Sequence, residues 1–280
     1  MNGVVVAGRA AGLRRHRLLP HLVLVVFSLY ILLPLLWVLR TSFVPEASAY
    51  AASLFPSFTF GNYASLFSED SDFGSSYINS LVAAGGATLI ALPFAAMTGY
   101  AFARFRLGGL AGRFMVLATQ MLPPVALVLP VFTLFRAVGL TNSVLGLVIV
   151  YAALNLPFLS WILMGFFEGV PADLEGAALI DGATPWGAFW RVVIPVSLPG
   201  LAAAATLGFI LAWNEFLFAL VLTGPDTATV PVTLAALQSS NGVEIATISA
   251  GVVLAVLPLA IGSRFIQRFI VQGLTFGSVK

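Results

Sequence analysis

The chain is predicted to be an all-α integral membrane protein with six transmembrane helices and both termini cytoplasmic. Three observations predict this. Hydrophobic residues make up 60% of the 280 residues and charged ones only 9%, a balance no ordinary soluble domain shows. The apolar residues gather into six long runs: Leu18–Leu39, Tyr77–Ala103, Phe114–Phe135, Val144–Phe167, Leu201–Leu222 and Ile245–Ile261. Each is close to the ~20 residues needed to cross about 30 Å of hydrocarbon, and runs without polar alternation mean helices rather than a barrel. Finally, 11 of the 13 basic residues fall on one side of the resulting topology, leaving Arg40 and Arg136 opposite. The positive-inside rule makes that side cytoplasmic.

Residues 1–17 form a cytoplasmic segment carrying Arg9, Arg14, Arg15 and Arg17, and residues 18–40 the first transmembrane helix. A basic start, an apolar run and Ala47-Ser48-Ala49 superficially resemble a secretory signal and its cleavage site. The run exceeds the about 7–15 residues of a signal core, so it is expected to remain as a helix. Residues 41–76 are the sizeable extracytoplasmic segment, with Tyr50, Phe55, Phe58, Phe60, Tyr63 and Phe67 as interfacial anchors. It is too short for a folded domain with its own core, so capture of a solute outside falls to another protein. Residues 77–270 contain the other five spans. Prolines inside the runs (Pro34, Pro93, Pro123-Pro124, Pro130, Pro157 and Pro258) remove backbone donors and favour kinks. Small residues such as Ala83-Ala84-Gly85-Gly86-Ala87 and Ala202 to Ala205 allow close helix contact.

Between the fourth and fifth runs lies the loop 171–195, which reads as two short amphipathic helices around a glycine turn. Pro171 opens the first, and Asp173 and Glu175 place negative charge at its positive end. Gly182 supplies the turn. Thr184 caps and Pro185 starts the second helix, which carries Trp186, Phe189 and Trp190. In the fifth run, Glu215 is the acidic residue well within a span. A carboxylate there is costly and marks a site facing a polar interior, or a hydrogen-bonded contact that locks helices together. Asn214 beside it can donate and accept, and Trp213 offers a stacking face, a set suited to a polyhydroxyl solute.

Enzyme signatures are absent: no HExxH, no GxSxG with a plausible triad, and no cysteine at all. His16 and His21 flank the start of the first span. No glycine-rich phosphate loop ending in Gly-Lys-Ser/Thr is present, so any ATP must be held by a partner. Catalytic residues, metal ligands, bound cofactors and nucleic-acid contacts are therefore not expected in this chain.

The loop motif and its companions resemble the membrane subunits of binding-protein-dependent ABC importers, specifically the carbohydrate branch that includes the short-loop maltose permease subunit. The family's motif reads EAA, three residues, G, nine residues, then I-x-L-P. Here Gly176-Ala177-Ala178 is followed by Leu179-Ile180-Asp181, Gly182, nine residues, and Val192-Val193-Ile194-Pro195. One position departs: Gly176 stands where the family has glutamate, with Glu175 just before it. Pro34-Leu35-Leu36-Trp37 with Thr41-Ser42-Phe43, Asn62-Tyr63, Asn79-Ser80, Trp213-Asn214-Glu215 and the ending Gly273 to Lys280 also match the branch.

The resemblance implies the type I importer permease fold and a multi-pass protein of the bacterial cytoplasmic (inner) membrane, importing a sugar. It implies assembly with a second homologous permease subunit, two ATPase subunits that carry ATP and Mg, and an extracytoplasmic sugar-binding (lipo)protein. Glu175, Gly176, Ala177, Ala178, Asp181, Gly182 and Pro195 would form the coupling element seated on the ATPase. Thr275, Gly277, Ser278 and Lys280, in the tail 271–280, would reach between the ATPases. Trp213, Asn214 and Glu215 would line the substrate pathway. An importer of glycerol phosphates or other polyol-like solutes is the nearest alternative, though no span interior shows the basic groups an anion calls for. A secondary transporter predicts inverted repeats and paired intramembrane charges, and neither is visible.

Overall fold

A computed structural model describes residues 4–50, 57–105, 107–239 and 242–276, with side chains placed for those between 20 and 238 and between 243 and 264. Its regular elements among these residues are helices, apart from the two-residue strands Gln238–Ser239 and Gly242–Val243. The helices long and apolar enough to cross a membrane number four, or up to six if each of two bent pairs counts as one span, among the described residues. The chain groups into two compact units, residues 1–65 with 243–254, and 66–242 with 255–280.

In the first unit, α1 (Val4–Ser42) runs unbroken through Pro20 and Pro34. Its apolar side chains are exposed, Tyr30 at 77%, as suits a helix whose solvent is lipid. After it, the chain turns back through α2 (Gly61–Leu66). Asn62 Nδ2 donates to the carbonyls of Ser42 (2.9 Å) and Val44 (2.8 Å), and the Tyr63 and Ser42 hydroxyls are 2.8 Å apart. These bonds satisfy carbonyls that α1 leaves orphaned at its end. Of the aromatics expected at an interface, Phe58, Phe60 and Tyr63 gather around Phe43, while Tyr50, Phe58, Phe60 and Phe67 stay exposed and Phe55 lies outside the described residues. Phe43 stacks on Phe58 at 4.9 Å and meets Phe60 and Tyr63 edge-on or tilted. The Glu46 carboxylate accepts from the Ala246 N–H at 2.8 Å, where α13 (Ile245–Phe276) begins.

The second unit is built on α3 (Phe73–Phe105) and α6 (Val144–Glu168). Ala83, Ala84, Ala87, Ala91, Ala95 and Ala96 form a fully buried small-residue stripe on α3, facing the large side chains Leu147, Tyr151, Leu159 and Leu163 of α6. The stripe lets the backbones converge until at Gly99 an added Cβ would lie 2.9 Å from Met164 N and Ser160 O. The third apolar run is not one helix. It divides into α4 (Gly109–Ala118), a 3-10 turn Thr119–Met121, and α5 (Pro124–Ala137), bent by 81° at Leu122 and Pro123. Among the run prolines, only the Pro123-Pro124 pair sits at a break; Pro34, Pro93, Pro130, Pro157 and Pro258 lie inside single helices. Arg113 of α4 pairs with Glu168 at the end of α6 at 2.6 Å.

The 171–195 loop follows as α7 (Ala172–Ile180), α8 (Pro185–Ala188), a π-helical turn Phe189–Val193 and α9 (Ile194–Val196). The chain then bends by 77° into α10 (Leu198–Trp213). The fifth run is also interrupted: α10 stops at Trp213 and α11 (Leu217–Leu222) follows after a gap of three residues. At 16 residues, α10 is about 24 Å long, shorter than the hydrocarbon. A short α12 (Val230–Ala236) precedes α13. At this end Asn79 Nδ2 donates to the carbonyls of Asp226 and Ala228, and the Ser80 hydroxyl accepts from Val230 N. The first turns of α3 are thereby tied to the residues after α11.

Candidate functional site

Local chemistry builds the elbow of the 171–195 loop as expected. Pro171 precedes α7, and Asp173 and Glu175 lie in its first turn. Gly182 takes φ +89°, where a side chain would be strained, and turns the chain. The Thr184 hydroxyl accepts from Gly187 N at 3.1 Å, with Pro185 in the first helical position. Beneath the elbow, Phe189 is buried between Tyr100 of α3 (4.7 Å between ring centres) and Phe167 of α6 (6.4 Å). Val193 is buried one turn on. The second helix is therefore anchored to the bundle by its aromatic face. Trp186 and Trp190 stay exposed.

Glu175 faces inward, a placement the sequence left open. Its Oε2 accepts from Arg104 Nε at 2.9 Å, and Oε1 accepts from the Tyr100 hydroxyl. Both charged side chains are only about one-seventh exposed, 15% and 14%. A second Arg104 nitrogen, Nη2, donates to the Val170 carbonyl at 2.9 Å. One arginine at the last turn of α3 thus holds both the start and the middle of α7, through charge-assisted bonds. Sequence reasoning counted Arg104 only as one of the basic residues that orient the protein and missed Tyr100 altogether.

The opposite face of α7 is free. Asp173, Leu174, Ala177, Ile180 and Asp181 are all exposed, Ile180 at 88%, and Leu179, one turn after Glu175, is exposed as well. Gly176 and Ala178 are half-buried, and Pro195 is exposed in α9. A Cβ added at Gly176 would meet nothing within 4 Å. Gly176→Ala is therefore expected to stabilise α7 by about 1 kcal/mol, seen as slower amide exchange across residues 172–180. Equal exchange in the two proteins would mean that α7 does not open locally.

The candidates of the fifth run separate. Trp213 is 3% exposed, packed edge-on to Tyr77 and stacked on Phe209, with its indole N–H donated to the Ala255 carbonyl at 3.1 Å. Glu215 stands in the break between α10 and α11. Its two carboxylate oxygens accept from Phe218 N (3.0 Å) and Ala219 N (3.1 Å), capping α11 where orphan N–H groups and the helix dipole favour an anion. Asn214 is exposed, its amide donating back to the Ile210 carbonyl. In the tail, Thr275 lies on the described backbone of α13, while Gly277, Ser278 and Lys280 lie outside the described residues. Among the described residues no group of His, Asp or Glu side chains is arranged to hold a metal ion.

Residues 91–276 match the model of a family described as the inner membrane component of binding-protein-dependent transport systems. The chain belongs to that family. It is 41% identical over 258 residues to the trehalose transport system permease protein SugB of Mycobacterium tuberculosis, covering 90% of this chain and 93% of that one. It is 36% identical to the sulfoquinovosyl glycerol transport system permease protein SmoH of Agrobacterium fabrum, covering 89% of each. Among solved structures, it resembles a bacterial ABC transporter involved in import of the acidic polysaccharide alginate. That likeness has a TM-score of 0.75 at 24% identity, over 91% of this chain and 96% of that one, and bears on the fold. The chain is thus a transport permease subunit and not a catalytic enzyme, and the family's inner-membrane setting agrees with its long apolar helices.

Proposed function

We propose that this permease subunit forms half of the translocation pathway for a sugar in an ATP-driven importer, and that it couples to a cytoplasmic ATPase through the 171–195 loop. The observation that carries the reading is the two-sided construction of α7. One side is pinned to α3 by Glu175 and Arg104, and the other presents exposed Leu174, Ala177 and Ile180 around a fixed elbow. An exposed apolar face on a rigidly held helix suits a docking knob. Force applied there passes into α3 and α6 instead of being absorbed by a loose loop. Both termini and this loop are cytoplasmic in the reading, with α4–α5 as the third crossing and α10–α11 as the fifth.

The partners follow from the family: a second homologous permease, two ATPase subunits holding ATP and Mg, and an extracytoplasmic binding (lipo)protein. The tail from 271 would reach the ATPases through Thr275, Gly277, Ser278 and Lys280. Asn214 is the exposed member of the pathway set, with Trp213 and Glu215 supporting it. A disaccharide of trehalose's class is favoured by the 41% identity to a trehalose permease. The relative named for sulfoquinovosyl glycerol keeps a glycerol-bearing solute as a second reading.

The test is reconstitution of the complete transporter in proteoliposomes with its binding protein outside and ATP inside. Uptake of radiolabelled trehalose, maltose and sulfoquinovosyl glycerol is then compared. ATP-dependent accumulation of a disaccharide is expected. Accumulation without ATP would mean a secondary transporter, and uptake of sulfoquinovosyl glycerol alone would favour the second reading.

A further inference from the structure

The break between α4 and α5 carries polar groups that packing does not use. Pro123 and Pro124 have no N–H and lie three and four residues after Gln120, so the Gln120 carbonyl lacks both of its helical donors. Across from it in α6, Pro157 removes the donor four residues beyond the Ala153 carbonyl. Thr119, Gln120 and Ala153 all line one cavity of about 320 Å³, whose remaining wall is apolar and includes Pro157. The Gln120 amide bridges the break to α6, donating from Nε2 to the Leu154 carbonyl at 2.8 Å. Its oxygen and its other N–H hydrogen have no partner among the described residues.

These groups lie midway along their helices: Gln120 is 11 residues beyond Gly109 and 17 before Ala137, and Ala153 is near the centre of the 25-residue α6. At that depth a half-used amide and carbonyls without donors are costly against lipid, which offers no hydrogen bonds. Irregular backbone is tolerated there when it lines a polar cavity. The occupant should therefore donate and accept hydrogen bonds on one edge and present C–H groups on the other. A pyranose ring has that character: hydroxyls at its rim for the amide and carbonyls, and C–H faces for the apolar wall around Pro157. The volume lies at the lower end of the about 300–1,000 Å³ of ligand pockets, which fits one ring better than a long chain.

We propose that this cavity is a sugar-hydroxyl station on the translocation pathway, with the Gln120 side chain as its specificity-determining group; the inference rests on the reading of the chain as a sugar permease.

The experiment uses the complete reconstituted transporter and compares uptake of trehalose with that of its monodeoxy analogues. For the unaltered transporter and for Gln120→Leu, the ratio of parent to analogue uptake is measured with the same binding protein. Selectivity exercised by that protein then cancels between the two. Gln120→Leu is expected to lower trehalose uptake about tenfold and to shrink the ratio for at least one analogue about tenfold. ATPase stimulation by the loaded binding protein should stay within about twofold of the unaltered level. Gln120→Asn, which keeps an amide but withdraws it, should give an intermediate ratio and serves if the leucine variant does not assemble. Unchanged ratios, whether or not uptake falls, would overturn the proposal, leaving Gln120 a tie between α4 and α6. Loss of the partner permease in both variants would also overturn it, by showing that the amide faces the partner. If the unaltered transporter imports no sugar, the functional reading fails first and the station with it.

Discussion

Glu175→Lys is expected to uncouple the transporter while leaving its membrane bundle folded. The Glu175 carboxylate takes two bonds from α3, one from Arg104 and one from Tyr100, in a site that is mostly out of water. Removing one partner of such a buried pair costs about 3 kcal/mol, because the remaining charge stays desolvated and unpaired. Lysine then adds repulsion, about 4 kcal/mol for two unit charges 4 Å apart in a medium of intermediate polarity. A loss of about 3 kcal/mol alone lowers the population of the seated loop roughly 10²-fold. ATPase stimulation by the loaded binding protein, and uptake with it, should fall by a similar factor. Tyr100 touches both the pair and the core, but the core from Ala83 to Ala96 and from Leu147 to Leu163 does not depend on the pair, so the melting temperature in detergent should fall by only a few degrees. Arg104→Glu introduced together with Glu175→Lys should restore a substantial part of the coupling. Restoration separates this internal role from a direct contact between Glu175 and the ATPase, which no change at Arg104 could repair. Uptake within twofold of normal in the single variant would show that the loop is not held by this pair.

What the sequence revealed depended on how local the controlling physics was. Gly182, Thr184 and Pro185 were legible because a positive φ, a cap and a first-turn proline each act within a few residues. Helices α3 and α6 were legible as long apolar runs, though α3 begins at Phe73, four residues before the run suggested. Pro123-Pro124 signalled a kink but not a break of 81°, and the break after Trp213 was hidden, since hydropathy averages over backbone geometry. Traces of both breaks were present in hindsight: Thr119-Gln120 followed by two prolines, and Asn214-Glu215 inside an apolar run. Neither polar pair belongs in a continuous lipid-facing helix. Trp213 shows the limit of composition more sharply. A tryptophan beside polar neighbours looks like a stacking platform, but which face of α10 turns inward is set by Tyr77 and the Ala255 carbonyl, on elements distant in sequence. Arg104 and Glu175 are 71 residues apart, and no periodicity links them. Other family motifs gained a physical meaning: Asn62-Tyr63 closes the end of α1, and Asn79-Ser80 ties the start of α3 to residues 226–230. Helix α3 is thus hydrogen-bonded near both ends, to α7 at one and to the residues after α11 at the other.

That double attachment makes the contact between α3 and α6 the most sensitive point in the protein, and Gly99→Leu is expected to destabilise it more than any other single change considered. An added Cβ at Gly99 would lie 2.9 Å from Met164 N and Ser160 O and 3.2 Å from Leu163 Cβ. Two of those three atoms are backbone, held in the hydrogen-bond ladder of α6, so no side-chain rotation can relieve the clash. The helices would have to separate, and with them the alanine stripe from Ala83 to Ala96 would lose the close packing that drives association in lipid. Overpacking of this kind costs about 3 kcal/mol or more when the neighbours cannot move. For a chain of this size that lowers the melting temperature by on the order of 10 °C. The comparison that isolates the cause is Gly85→Leu on the same helix, where an added Cβ meets nothing within 4 Å. Both variants carry the same gain in helix propensity and the same added apolar surface, so a difference between them measures the steric term alone. Equal melting temperatures for the two would mean that the α3–α6 approach is looser than 2.9 Å at Gly99, and that the alanine stripe tolerates a gap there. A selective loss at Gly99 would locate the rigid seam through which a pull on α7 reaches the far end of the bundle.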